Sequence, residues 1–232
     1  MEEKQSGPGH IFKLVKDSLP PINKGGYPFI AASAMAGLAA RSFSKKLGPV
    51  GLLATGAIAL FFREPQRVTP ERHDSIFACA DGEVALIEKA IPPTELNYSN
   101  KPLTRISTFL TVLDVHVQRA PLTGKILKVE YHPGRFLSAD LDKASEENER
   151  NTVIFQSHEG HDIIVTQIAG LVARRIVCQV TEGEEINAGD TYGLIRFGSR
   201  VDVYLPEGAL PEVVVGQRTI GGETVLAKFN HD

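Results

Sequence analysis

From residue 75 onward the chain breaks into short apolar segments, at 76–79, 82–87, 104–110, 124–131, 152–156 and 162–168, each bounded by turn residues. Segments of this length, rich in Ile, Val, Thr and Phe, are too short for stable helices and read as strands. The turn Ser157-His158-Glu159-Gly160-His161 joins two of them as a hairpin, with Gly160 placed to take a positive φ. Its two histidines have no third ligand nearby, so no metal site is expected. Two phrases, 183–195 and 216–227, repeat one hairpin design of the kind found in barrel-sandwich domains, but no lysine stands at a tip to carry a swinging arm. The fold class expected is mainly β (α+β), with an antiparallel barrel-sandwich-like body.

The N-terminal part is different. Residues 28–40 form a run of thirteen without a charge, and residues 47–62 add sixteen more after the basic interruption at 41–46. Neither reaches the roughly 20 residues a helix needs to cross a ~30 Å hydrocarbon core. Small residues suit close helix packing in lipid, and Arg41, Lys45, Lys46, Arg63 and Arg67 flank the runs where they can meet anionic headgroups. A hairpin dipping into one leaflet, a tilted single span and helices packed on the body all fit. The expectation is an N-terminal apolar helical anchor, giving a tail at 1–24, a membrane-associating segment at 25–64 and a β-rich catalytic domain at 65–232. The net charge of −3 provides no basic field for nucleic acid. Two cysteines without CxxC spacing indicate neither a disulfide framework nor structural zinc, in keeping with a reducing cytoplasm.

Three features carry chemistry. Gly198-Ser199 sits in an alternating run, and a serine hydroxyl can attack the carbonyl before it, given a base and a strained bond that glycine permits. Asp114 and His116 are two apart at the end of an apolar segment, so in a strand both would project from one face, where the carboxylate would raise the imidazole's basicity. The charged stretch between Gly134 and Asn151 is long for a connection in a compact β domain, which favours a functional loop.

Six blocks in order, Phe61-Phe62-Arg63-Glu64-Pro65, Ala80-Asp81-Gly82, the run from Phe109 through Asp114-Val115-His116-Val117-Gln118-Arg119-Ala120-Pro121, the run from Lys143 to Asn151, Ile168-Ala169-Gly170-Leu171-Val172-Ala173-Arg174-Arg175-Ile176, and Phe197-Gly198-Ser199-Arg200, resemble the phosphatidylserine decarboxylases. The likeness is to the short bacterial type with a Gly-Ser-Arg processing motif. It implies a proenzyme that cuts itself between Gly198 and Ser199 into a 1–198 β chain and a 199–232 α chain. Ser199 would become a covalent pyruvoyl (pyruvate) cofactor that forms a Schiff base with phosphatidylserine and releases phosphatidylethanolamine and CO2. It further implies roles for His116 as proton donor to Cα and for Asp81 in self-cleavage, beside the catalytic place that spacing gives Asp114. Longer relatives carry a second histidine where this chain has Arg119, which cannot act as a base but could bind a substrate phosphate or carboxylate as a forked donor. The implied partner is the lipid bilayer, on the cytoplasmic side of the cell membrane, with peripheral or shallow insertion; a homo-oligomer is compatible with it. A serine-headgroup lipid of the ether-linked archaeal kind would need no change in chemistry. From another class, a membrane-anchored barrel-sandwich adaptor without catalysis would explain the hairpins but leaves Ser199, Asp114 and His116 without a role.

Overall fold

In a computed structural model the chain forms two compact units, residues 1–66 and 67–232. The structure describes residues 19–134, 147–170, 175–196 and 199–230.

In the first unit the apolar runs become two helices, α1 (Tyr27–Phe43) and α2 (Leu47–Phe61). Ser44 takes an extended conformation and ends α1, which removes the single tilted span. The helices pack antiparallel through small residues: a Cβ added to Gly51 would lie 2.5 Å from the Gly37 Cα, and the Ser33 and Thr55 hydroxyls meet at 3.1 Å. The base is closed by Asn23, whose backbone N–H donates to the Phe62 carbonyl (2.9 Å) and whose side chain donates to Glu64 (2.9 Å). Nothing in α1 is buried, and Met35, Leu38, Phe43, Leu52 and Leu53 are exposed. No helix among the described residues is long and apolar enough to cross a membrane.

The second unit is antiparallel β. Its strands are β1 (Ser75–Phe77), β2 (Gly82–Ala90), β3 (Leu103–Leu110), β4 (Val117–Arg119), β5 (Gly124–His132), β6 (Arg150–Ser157) and β7 (Asp162–Ala169). They continue as β8 (Arg175–Cys178), β9 (Glu185–Ile186), β10 (Thr191–Arg196), β11 (Ser199–Leu205), β12 (Leu210–Pro211), β13 (Arg218–Thr219) and β14 (Val225–Lys228). One large sheet has the order β13-β2-β3-β11-β7-β6-β5-β9, and two small sheets run β4-β10-β8 and β1-β14-β12. All six sequence-predicted strands are present. Their burial explains their place: β2 and β5 alternate buried and accessible residues near the edges, whereas β7 and β11 are buried on both faces at the centre. Val201, Val203 and Leu205 face a core shared with Ile76 of β1 and Tyr192 and Ile195 of β10. The alternate residues of β11 include Arg200 and Asp202, a buried pair held by two 2.8 Å hydrogen bonds.

The body is internally two-fold. β1 and β4 are both 3 residues long, β2 and β5 both 9, β3 and β6 both 8. The two repeated phrases occupy equivalent places, yet neither is a hairpin. β9 and β13 each leave the strand that follows and pair with β5 and β2 instead. The Val84 N–H donates to the Gln217 carbonyl and the Ile126 N–H to the Glu184 carbonyl, both at 2.9 Å. Gly82 and Gly124 start equivalent strands against a neighbouring backbone, where an added Cβ would lie 2.2 Å from the Phe109 oxygen and 2.0 Å from the Gln156 oxygen. The repetition therefore reflects straps that cross between sheets. The turn at 157–161 closes as expected, with Gly160 at φ 88°, and His161 stacks on Phe229 at 4.6 Å.

Candidate active site

Ser199 is the first residue of β11, paired with Leu110 on β3 and Ala169 on β7. It is 2% exposed, and its hydroxyl has no hydrogen-bond partner among the described residues. A buried hydroxyl left unpaired costs roughly 1–3 kcal/mol, so its persistence asks for a reason beyond stability. Gly198, the other half of the expected cleavage site, lies outside the described residues, as do residues 135–146 of the expected functional loop.

The strand carrying Ser199's partner Leu110 ends in a turn, and this is where the expected Asp114–His116 arrangement changes. The Asp114 N–H donates to the Thr111 carbonyl (3.0 Å), so residues 111–114 turn and β4 begins only at Val117. The Asp114 carboxylate accepts from the Thr111 N–H (2.7 Å), the Thr111 hydroxyl (2.8 Å) and the Arg218 guanidinium. It is the Asp114 backbone carbonyl, not its carboxylate, that meets His116 Nδ1, at 3.0 Å. A carbonyl can only accept, so Nδ1 carries a proton, and in the neutral ring the lone pair is on Nε2. His116 is 1% exposed.

Burial disfavours the Asp114 charge, but Arg218 and the Thr111 donors outweigh it and hold the carboxyl below its ordinary value of 3.8. With the folded value lowered, the stabilisation is present above about pH 4 and is lost as pH falls through the folded value. Asp114→Ala is expected to cost about 1–2 kcal/mol at neutral pH, discounted for the exposed Arg218. In thermal unfolding the gap to wild type should persist above about pH 4 and close below it.

Asp81 directly precedes β2. Its carboxylate accepts from Arg67 (2.7 Å) and from the Gly221 N–H (2.8 Å). Arg119 is 9% exposed, its Nη1 donates to the Gly189 carbonyl at 2.8 Å, and its Cδ lies where a Cβ on Gly222 would clash. The side chain thus runs between two glycine turns, with Nη1 on the Gly189 carbonyl and Cδ against Gly222.

Sequence reasoning missed Arg218, Gln118, Gln167 and Asn151. Arg218 sits in the second repeated phrase with no local mark of its contact to Asp114. Gln118 stands between His116 and Arg119 with nothing local to mark it, and its amide donates to the His116 carbonyl at 2.9 Å.

A family model described as phosphatidylserine decarboxylase matches residues 55–227. A phosphatidylserine decarboxylase proenzyme of Saccharopolyspora erythraea is 52% identical over 98% of this chain and 97% of its own length. Proteins of the same name from Mycobacteroides abscessus (53%, covering 98% and 95%) and Mycobacterium leprae (50%, covering 97% and 96%) are similar over the same extent. With half of its residues shared along nearly the whole chain, and a buried serine hydroxyl at the head of the central strand, the protein belongs to the phosphatidylserine decarboxylase family.

Proposed function

We propose that this protein decarboxylates phosphatidylserine to phosphatidylethanolamine and CO2, using a pyruvoyl group that it makes from its own Ser199. The observation that carries the reading is the Ser199 hydroxyl, buried without a hydrogen-bond partner among the described residues at the start of a strand laddered on both sides. A hydroxyl kept unpaired in this place is free to attack.

In maturation the Ser199 oxygen attacks the Gly198 carbonyl carbon as its proton passes to His116 Nε2. The Gly198–Ser199 C–N bond breaks as that proton passes on to the departing nitrogen, and an ester takes the place of the amide. Loss of the Ser199 α-proton then expels Gly198 as a carboxylate and leaves a dehydroalanine. Water replaces the nitrogen, ammonia departs, and a ketone heads the α chain. His116 suits the first step because its tautomer leaves Nε2 basic, whereas Asp81 is already committed to Arg67 and Gly221. When formed, the pyruvoyl group supplies an electron sink for the pair released as the substrate carboxylate leaves. His116 returns a proton to the substrate Cα. The α chain stays in place because it contains β11 to β14, which pair with β1, β2, β3 and β7. The adaptor alternative assigns no work to the Ser199 hydroxyl.

The α1–α2 hairpin holds the enzyme at its lipid substrate. Its apolar side chains face outward, and Arg41, Lys45 and Lys46 at its tip suit anionic headgroups. Deleting residues 28–62 is expected to move the protein from the membrane pellet to the supernatant and to lower turnover of bilayer substrate, while activity on short-chain soluble substrate survives. Intact protein that stays in the supernatant with anionic vesicles would overturn the anchor. For the function itself, purified protein is given phosphatidylserine vesicles, and CO2 and phosphatidylethanolamine are measured alongside the masses of the fragments. Processed protein that releases neither product would overturn the reading.

A further inference from the structure

A line of buried amides runs from the large sheet to the backbone of His116. Asn151 on β6 stands directly opposite Gln167 on β7, and its Nδ2 donates to Gln167 Oε1 at 3.0 Å. Gln167 Nε2 donates to Gln118 Oε1 at 2.9 Å, and Gln118 Nε2 donates to the His116 carbonyl at 2.9 Å. The same carbonyl accepts the Ile195 N–H of β10 at 3.1 Å. All three amides are at most 2% exposed. Gly193 leaves the passage open, since a Cβ there would lie 3.0 Å from Gln167 Nε2 and 2.7 Å from the Val177 oxygen. The chain therefore crosses from the large sheet to the β4-β10-β8 sheet.

The residues just before Asn151 hold the other half of the site. Asn148 Nδ2 donates to the Ala169 carbonyl at 2.8 Å, and the Ala169 N–H donates to the Glu149 carbonyl at 2.9 Å. Ala169 is the β7 partner of Ser199. One short segment, 148–151, thus fastens the strand beside the serine and, through two glutamines, the peptide of the histidine. Amides in a buried line polarise one another, and none can turn without leaving a neighbour unsatisfied. Packing alone would be served by apolar side chains of the same size.

We propose that Asn151, Gln167 and Gln118 are positioning residues that set the His116 imidazole against Ser199, for self-cleavage and for proton return. This rests on the role assigned to His116 above. Methionine keeps the volume of glutamine and removes its hydrogen bonds, so Gln118→Met and Gln167→Met isolate the amide line from packing. Each is expected to slow processing of the full-length precursor, followed by intact mass, at least roughly tenfold, and to displace its pH profile. The double variant should be no slower than either single one, because both break the same line. In processed protein kcat should fall with KM unchanged. Thr166→Val is the control: it breaks a buried 3.1 Å hydroxyl pair with Thr152 between the same two strands, away from the amide line. It should lower thermal stability without moving the pH profile. If Gln118→Met does not fold, Asn151→Ala tests the same line from its far end.

Folded Gln118→Met and Gln167→Met proteins that process at the wild-type rate and pH would overturn the proposal, as would changes no larger than those of Thr166→Val. The processing measurement uses no lipid. A wild type that processes but does not decarboxylate would overturn the functional reading alone, and the amide line would still be decided by the precursor.

Discussion

Ser199→Ala is expected to leave a single uncut chain of 232 residues with no decarboxylase activity. The loss should be complete, because removing the hydroxyl removes both the nucleophile that opens the Gly198–Ser199 bond and the atoms from which the ketone is made. Wild-type protein should separate into two fragments under denaturing conditions, the smaller beginning at a blocked, pyruvoyl-converted residue 199. Under native conditions the fragments should travel together, since β11 has a strand on either side and its 7 residues are all buried. The substitution itself should be tolerated. It deletes a buried hydroxyl that has no hydrogen-bond partner among the described residues, so the folded precursor is expected to gain stability slightly. Intact mass and thermal unfolding check the two halves of this result. Cleavage at the same bond in Ser199→Ala would overturn the mechanism.

His116→Ala is expected to slow both processing and turnover by at least about a hundredfold, the scale of a lost general acid or base. Arg119 cannot replace it, because a guanidinium does not give up its proton and its Nη1 is bound to the Gly189 carbonyl. Asp81 is held by Arg67 and the Gly221 amide. Alanine also leaves a hole in a site that is 1% exposed, so added imidazole should restore part of the processing rate. A fully processed but inactive His116→Ala protein would confine this histidine to turnover and pass the cleavage step to another base. A folded variant that is processed and fully active would remove His116 from both.

The β body was legible because its information is local. Apolar residues in short runs, broken by turn residues, set strand positions without reference to anything distant, and β2, β3, β5, β6 and β7 lie where those runs predict. Ser199 and His116 were singled out by residue type and setting, and the structure buries both. What failed was the extension of local geometry past a strand end. Asp114 and His116 are two apart, and strand alternation would place their side chains together; the turn at 111–114 instead sends the carboxylate to Thr111 and Arg218 and presents a backbone carbonyl to the imidazole. Arg119 likewise has a partner that no neighbouring residue announces, a carbonyl 70 residues away in sequence that takes its Nη1.

The sequence by itself determined the strands and the two apolar runs, because each follows from the period, length and chemistry of a few neighbouring side chains, whereas the break at Ser44 that makes the runs two helices came from the structure. Only the tertiary structure decided which groups the side chains meet. Arg218 comes to Asp114 across a separation of 104, and the amides of Asn151 and Gln167 reach His116 through Gln118. Such partners are chosen when the sheets close over one core and every buried donor must find whatever acceptor the packing brings within reach.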